Sequence, residues 1–388
     1  MQIDLTHLPV NWIDGMKISR KIFVETDSFI HEQVQDARAL HLTDFNYGIL
    51  PAEKSLDLSV FCDSLQLITV DLNSCKAVTP DGCRVDISGT KLSVKLNFRE
   101  IQARFGLRNV PVQQLVILLS VNLFKRVPSG QPLPDENPPR VPFTQPETVV
   151  DIVPVESLNQ FMLGSSLIIG KIVYQNNDLT YQRDFIPACT SVSSLPGLID
   201  WHRKFRQLLE SWEQSCIRII QKVNQKSQQS NTLTISIQKI TEKILEKLVL
   251  QKVNYQWIIQ KSPPVYLCSL LLENLQFLYT VIICLTEKDR EELIGYFAEW
   301  ADVPMGSIEN ITTKAMQVQY NHNDVGLVLQ DIQQAYQLYV QLFQKLAMLD
   351  FIGKRKGQNI FVIEQEIKEV KPPPPPPQEK PGRWSPLS

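Results

Sequence analysis

Near residue 195 the spacing of apolar side chains changes period, and that change divides the chain into two kinds of structure. Over residues 45–124 apolar and polar residues alternate in short runs: "LDLSVF", "LQLITVDL", "CRVDIS", "KLSVKLNF" and "QQLVILLSVNLF". Period two puts alternate side chains on one face of a strand. Turn signals separate the runs, at Thr79-Pro80-Asp81-Gly82 and Ser88-Gly89-Thr90. Short strands spaced this closely predict an antiparallel sandwich, not a parallel sheet with crossover helices. Residues 128–146 hold too many prolines for a central strand and read as an extended surface loop. Strands resume at "ETVVDIVPV" and "SSLIIGKIVY", and "LTYQRDFIP" completes a hairpin across Asn176-Asn177-Asp178.

Beyond 195 the period becomes helical. Leu198, Trp201, Phe205, Leu208, Trp212, Cys216, Ile219 and Val223 keep three-and-four spacing, as do Val325, Leu329, Ile332, Tyr336, Tyr339, Phe343 and Leu346. A repeat near 3.5 sustained over three heptads makes a narrow seam suited to supercoiled partner helices. Trp201, Phe205, Leu208, Trp212, Leu329, Ile332, Tyr336 and Phe343 are the candidate seam residues. Periodicity leaves open whether the covering helix comes from the same chain or from a sister copy. A further helix opens with Ile237, Ile240, Ile244 and Leu248 and stops before Pro263-Pro264. Thr286 with Asp289 reads as the capped start of the next one.

The expected class is therefore α+β and multidomain. An N-terminal β-sandwich spans 1–192, a helical bundle 193–351, and a short extended segment with a proline-rich tail 352–388. Six prolines at 372–377 make a solvated spacer, with Trp384 beyond it. Two features precede the sandwich. "VNWIDGMKI", at residues 10–18, has the alternation of a hairpin about Asp14-Gly15. Residues 20–42 then predict a helix with Phe23, Ile30, Val34 and Ala37 on one apolar stripe.

Residues 265–285 are long enough to cross a bilayer, but Glu273, Asn274 and Gln276 sit near their middle. A central carboxylate is costly in lipid, so a buried helix is expected. No basic stretch followed by an apolar run opens the sequence, and the seven cysteines are scattered. Reduced thiols in a cytoplasmic protein are expected. A net charge of −2 argues against a nucleic-acid partner.

No constellation for catalysis, metal or cofactor binding stands out. The five histidines, His7, His31, His41, His202 and His322, are isolated. His31-Glu32 opens like a zinc-protease helix, but Gln35 stands where the second ligand belongs. No cysteine pair has zinc spacing, and there is neither a phosphate loop nor a nucleophile elbow. A structural, interacting protein follows, with no small-molecule substrate. The rivals are an enzyme built from scattered carboxylates in the sandwich and a monomeric proline-tailed adaptor.

Trp12, Gly15, Met16 and Phe23, then Tyr47-Gly48 opening a strand, then Pro80-Asp81-Gly82 before another strand, occur in an order that resembles TssK, the baseplate protein of bacterial type VI secretion systems. Ser19-Arg20-Lys21-Ile22 departs from the family pattern, which marks a divergent member. The resemblance implies a homotrimer whose bundle packs around a threefold axis. It implies an N-terminal domain like the shoulder of phage receptor-binding proteins, attached to the TssF–TssG wedge. Family members usually carry a further C-terminal domain that docks on the inner-membrane complex of TssJ, TssL and TssM. Here the tail, or a different adaptor, is expected to replace it. The alternative is a baseplate or receptor-binding-like protein of another contractile particle.

Overall fold

The computed structural model describes residues 5–107, 112–161, 164–226 and 231–354. The expectations for the "NIFVIEQEI" segment, the six prolines and Trp384 lie outside the described residues.

Helix α1 (Arg20–Ala39) precedes two four-stranded antiparallel sheets. In the first, β3 (Leu67–Val78) pairs with β4 (Arg84–Asn97) along its length, and with β2 (Leu56–Cys62) and the two-residue β1 (Gly48–Ile49). In the second the order is β6 (Phe143–Pro154), β5 (Val112–Ser129), β7 (Ser166–Gln175), β8 (Asp178–Tyr181). The inward side chains of β3, Ile68, Val70 and Leu72, and those of β5, Leu115, Ile117 and Leu119, are buried in one core. Their outward neighbours on β5, Val116 and Leu118, are buried too, against Phe105, Leu158 and Phe161. These come from α2 (Phe98–Phe105) and α3 (Leu158–Phe161), which cover the outer face of the second sheet. That double cover accounts for the continuous apolar run "LVILL" in β5.

Three local expectations are corrected. Ser88-Gly89-Thr90 is not a turn but part of one long β4, where the register with β3 shifts between Leu72 and Ser74. Such a bulge uses the same glycine that a turn would. The proline-rich stretch is less of a loop than its composition suggests, because residues 126–129 pair with 143–146 as the end of the β5–β6 ribbon. Finally, "VNWIDGMKI" forms the Asp14-Gly15 turn, with Met16 N–H donating to Ile13 C=O at 3.2 Å, but no strands flank it.

The bundle contains α4 (Pro196–Gln225), α5 (Thr232–Trp257), α6 (Pro264–Ile283), α7 (Glu287–Ala301), α8 (Met305–Met316) and α9 (Val325–Met348). Helix α9 is its axis: it packs against α4, α6, α7 and α8. Val328, Ala335, Val340 and Leu342 are buried in addition to the seven residues of its predicted stripe, so the apolar face is broad. Helix α6 is long and apolar enough to cross a membrane by length and composition. In this fold its Leu267, Leu271, Leu275 and Leu278 point into the bundle core.

Candidate interaction surface

The seam residues come together inside one chain. Phe205, Trp212, Leu329, Ile332, Tyr336 and Phe343 are fully buried, and Trp201 and Leu208 pack partly buried against the same core. Tyr336 Oη donates to the Leu271 carbonyl at 3.0 Å and accepts from Asn274 Nδ2 at 3.0 Å. The predicted stripes of α4 and α9 are thus covered by their own chain. The six fully buried residues leave no surface for a sister copy to cover, whereas Trp201 and Leu208 keep part of theirs exposed.

What the chain leaves uncovered lies elsewhere. Residues 5–19 run as an arm along α1, tied there by one carboxylate. Glu32 accepts from Thr6 N–H at 2.9 Å, Thr6 Oγ1 at 2.8 Å and His7 N–H at 2.8 Å, with His7 Nδ1 at 3.1 Å. Burial alone would raise this carboxyl, but the hydrogen bonds from Thr6 and His7 outweigh it and hold it at about 2. His7 also lies 4.2 Å, ring to ring, from Phe124 of β5. The side of α1 that meets the sandwich is Glu32, Gln35 and Ala39.

This inverts the expected orientation of α1. Phe23 is 55% exposed, Ile30, Val34 and Ala37 also face solvent, and Trp12 on the arm is 53% exposed. Trp12 thus packs into no core beside the Asp14-Gly15 turn. The close approach of α1 to the β3–β4 turn explains the choice of face. A Cβ on Gly82 would sit 2.5 Å from the Gln35 carbonyl oxygen, so only a thin backbone-to-backbone contact fits there. With Leu8, Ile13, Ile18 and Val24, exposed apolar groups are concentrated on the arm and α1. Scattered single apolar residues are ordinary on a surface; a concentration of them points to an interaction site.

A second uncovered face was missed in the sequence. On α5, Leu250 is 73% and Trp257 68% exposed, with Val249, Val253 and Ile258 beside them. Their i, i+3, i+4 spacing was readable, but it ran parallel to the buried stripe of Ile237, Ile240, Ile244 and Leu248 and was hidden by it.

Of the other motif residues, Tyr47 and Gly48 lie at the joint between the halves, and the Pro80-Asp81-Gly82 turn is tied within the sandwich. Tyr47 is buried and its Oη donates to Asn323 Oδ1 of the bundle at 3.1 Å. Gly48 has φ +109°, and a Cβ there would lie 2.1 Å from the Ala188 carbonyl oxygen. Asp81 N–H donates to Gly164 C=O at 3.1 Å, and Thr79 Oγ1 donates to the Asp81 carboxylate within the Pro80-Asp81-Gly82 turn.

Among the described residues no group of three or more His, Cys, Asp or Glu could hold a metal ion. Burial pushes the thiols of Cys75, Cys83 and Cys268 up to about 12, so they are small core residues rather than nucleophiles.

No family profile matches the sequence and no curated protein matches it. Solved structures do. A crystal structure of TssK aligns with a TM-score of 0.50 at 14% identity, covering 89% of this chain and 70% of that one. TssK from the type VI secretion system of EAEC, in complex with a nanobody, gives 0.46 at 11% identity, covering 82% and 68%. A cryo-electron microscopy structure of a TssK-TssF-TssG baseplate subcomplex gives 0.45 at 11%, covering 86% and 99%. The sandwich, the joint and the bundle, in that order, have the fold of TssK.

Proposed function

We propose that this chain is a structural component of a type VI secretion baseplate, a cytoplasmic homotrimer and not an enzyme. The observation that carries this is the match of sandwich and bundle together, over 89% of the chain, to a TssK structure. The ordered motif of Trp12, Gly15, Met16, Phe23, Tyr47, Gly48, Pro80, Asp81 and Gly82 agrees with it. The N-terminal half would bind a TssF–TssG wedge, and the C-terminal end would reach a membrane-associated complex or an adaptor.

The uncovered faces say how copies could meet. The seam of α4 and α9 is internal, so the trimer contacts fall to the arm with α1 and to the α5 face. Both have the composition of an interface core: Trp12 and Phe23 on one, Leu250, Val253 and Trp257 on the other.

Co-expression tests the assignment. Tagged chain should retain TssF and TssG from the same gene neighbourhood through a size-exclusion column. Retention of a sheath-and-wedge set from a different contractile particle, or of neither protein, would contradict it.

A further inference from the structure

The sandwich and the bundle meet at the loop before α9, residues 317–324, and His322 is buried at that meeting. Its Nε2 lies 2.9 Å from the Tyr47 carbonyl oxygen. A carbonyl can only accept, so Nε2 carries the proton. Its Nδ1 lies 2.7 Å from the Tyr320 hydroxyl and accepts from it. The Val265 N–H at the start of α6 lies near the Tyr320 oxygen. His322 thus ties the loop to the sandwich, and with Tyr320 donating the pairing takes the neutral imidazole with its proton on Nε2. Beside it, Lys171 of β7 pairs with Asp324 at 3.4 Å, and Val325 N–H donates to Ile186 C=O at 3.1 Å.

We propose that this loop is an acid-sensitive latch: protonation of His322 breaks this pairing and loosens the sandwich from the bundle while each half stays folded. A proton on Nδ1 would point at the Tyr320 oxygen. The hydroxyl proton must then turn away from the ring, and a cation is left in a buried site.

The neighbouring groups do not rescue that cation. From the sandwich side come the Tyr47 ring, 4.7 Å from the imidazole, and the positive Lys171, with exposed Asp44 acting on Tyr47 from the rim. From the loop come Tyr320 and Asp324, whose carboxylate is engaged by Lys171 and pushed up by burial. Cys189 from the linker and Cys268 from α6 are thiols that burial keeps protonated. Burial holds His322 below the ordinary imidazole range of about 6.5. Above that value latched and loosened states are both neutral. As pH falls through it, the loosened state takes up a proton that the latched state refuses, so the latch weakens.

Hydrogen exchange on the full chain at pH 7.5 and 5.5, corrected for intrinsic rates, tests this. Val192 N–H, which donates to Ser262 C=O, and Val325 N–H both bridge the joint. Their protection should fall several-fold, by up to about tenfold, at pH 5.5, while amides of β3 and of mid-α9 keep theirs. Unchanged joint amides, or a joint that opens only together with those cores, would overturn the proposal. His322→Gln, which can donate to Tyr47 and accept from Tyr320 without titrating, should hold joint protection equal at both values. The same acid opening in that variant would also overturn it. In the wild type, NMR signals of the His322 ring should titrate below the ordinary imidazole value of about 6.5; a ring that titrates at or above that value while the joint amides stay protected contradicts the mechanism.

Discussion

Trp212 of α4 lies parallel to Tyr339 of α9, with ring planes 3° apart and centroids 6.2 Å apart. Tyr336 and Phe343 meet the same indole near edge-on, each at 5.7 Å. All four rings are buried in one chain, so this cluster holds the bundle together irrespective of partners. Trp212→Ala should therefore cost about 3–5 kcal/mol. Urea unfolding followed by circular dichroism measures it. The particle mass below the transition should not change, because the cluster is not a contact between copies.

Charge placed in that cluster is worse than a cavity. Phe343→Asp or Leu329→Asp would put a carboxylate where no water and no cation reach it, at a cost of several kcal/mol. Loss of helical signal at 25 °C in either variant checks it; a folded, soluble variant of unaltered melting temperature would show the positions to be tolerant.

The arm should respond to acid through Glu32. Its carboxyl sits at about 2 with the arm in place and at the ordinary carboxylate value, near 4.5, once released. The contribution is complete above about 4.5 and is lost as pH falls from there toward 2. The Thr6 and His7 amides should lose exchange protection over that window. In Glu32→Gln they should be unprotected already at pH 7, with the sandwich intact.

Gly48 and Gly82 set close backbone approaches. Alanine at Gly48 must displace the Ala188 carbonyl while holding a positive φ, and alanine at Gly82 must push α1 off the β3–β4 turn. Each should destabilise by about 1–3 kcal/mol. Thermal melts measure the loss, and for Gly82→Ala the Phe23 face of α1 should become more protease-sensitive.

Much of the architecture was legible in the sequence because burial imposes a period. The alternation in β3 and the seams of Trp212 and Tyr336 correspond to elements in which one face is buried. Helix α2 was also readable in principle: Asn97 and Glu100 form a capping box. The orientation of α1 was not. A stripe of Phe23, Ile30 and Val34 marks a face to be covered without saying by what, and Glu32 is buried only because residues 6 and 7 return to it. His322 was equally opaque, since its acceptor at Tyr47 lies 275 residues away along the chain. Long-range polar pairing leaves no periodic trace.

The mass of the particle tests the central claim most directly: that copies join through the arm with α1 and through α5, not through the seam. Light scattering of the full chain at micromolar concentration should give three times 44.4 kDa. A variant with Phe23→Ser, Ile30→Ser, Leu250→Ser and Trp257→Ser should give 44.4 kDa with its melting curve preserved, because these side chains are exposed within the chain. A single-chain mass for the wild type, or a threefold mass that survives all four substitutions, would contradict the account.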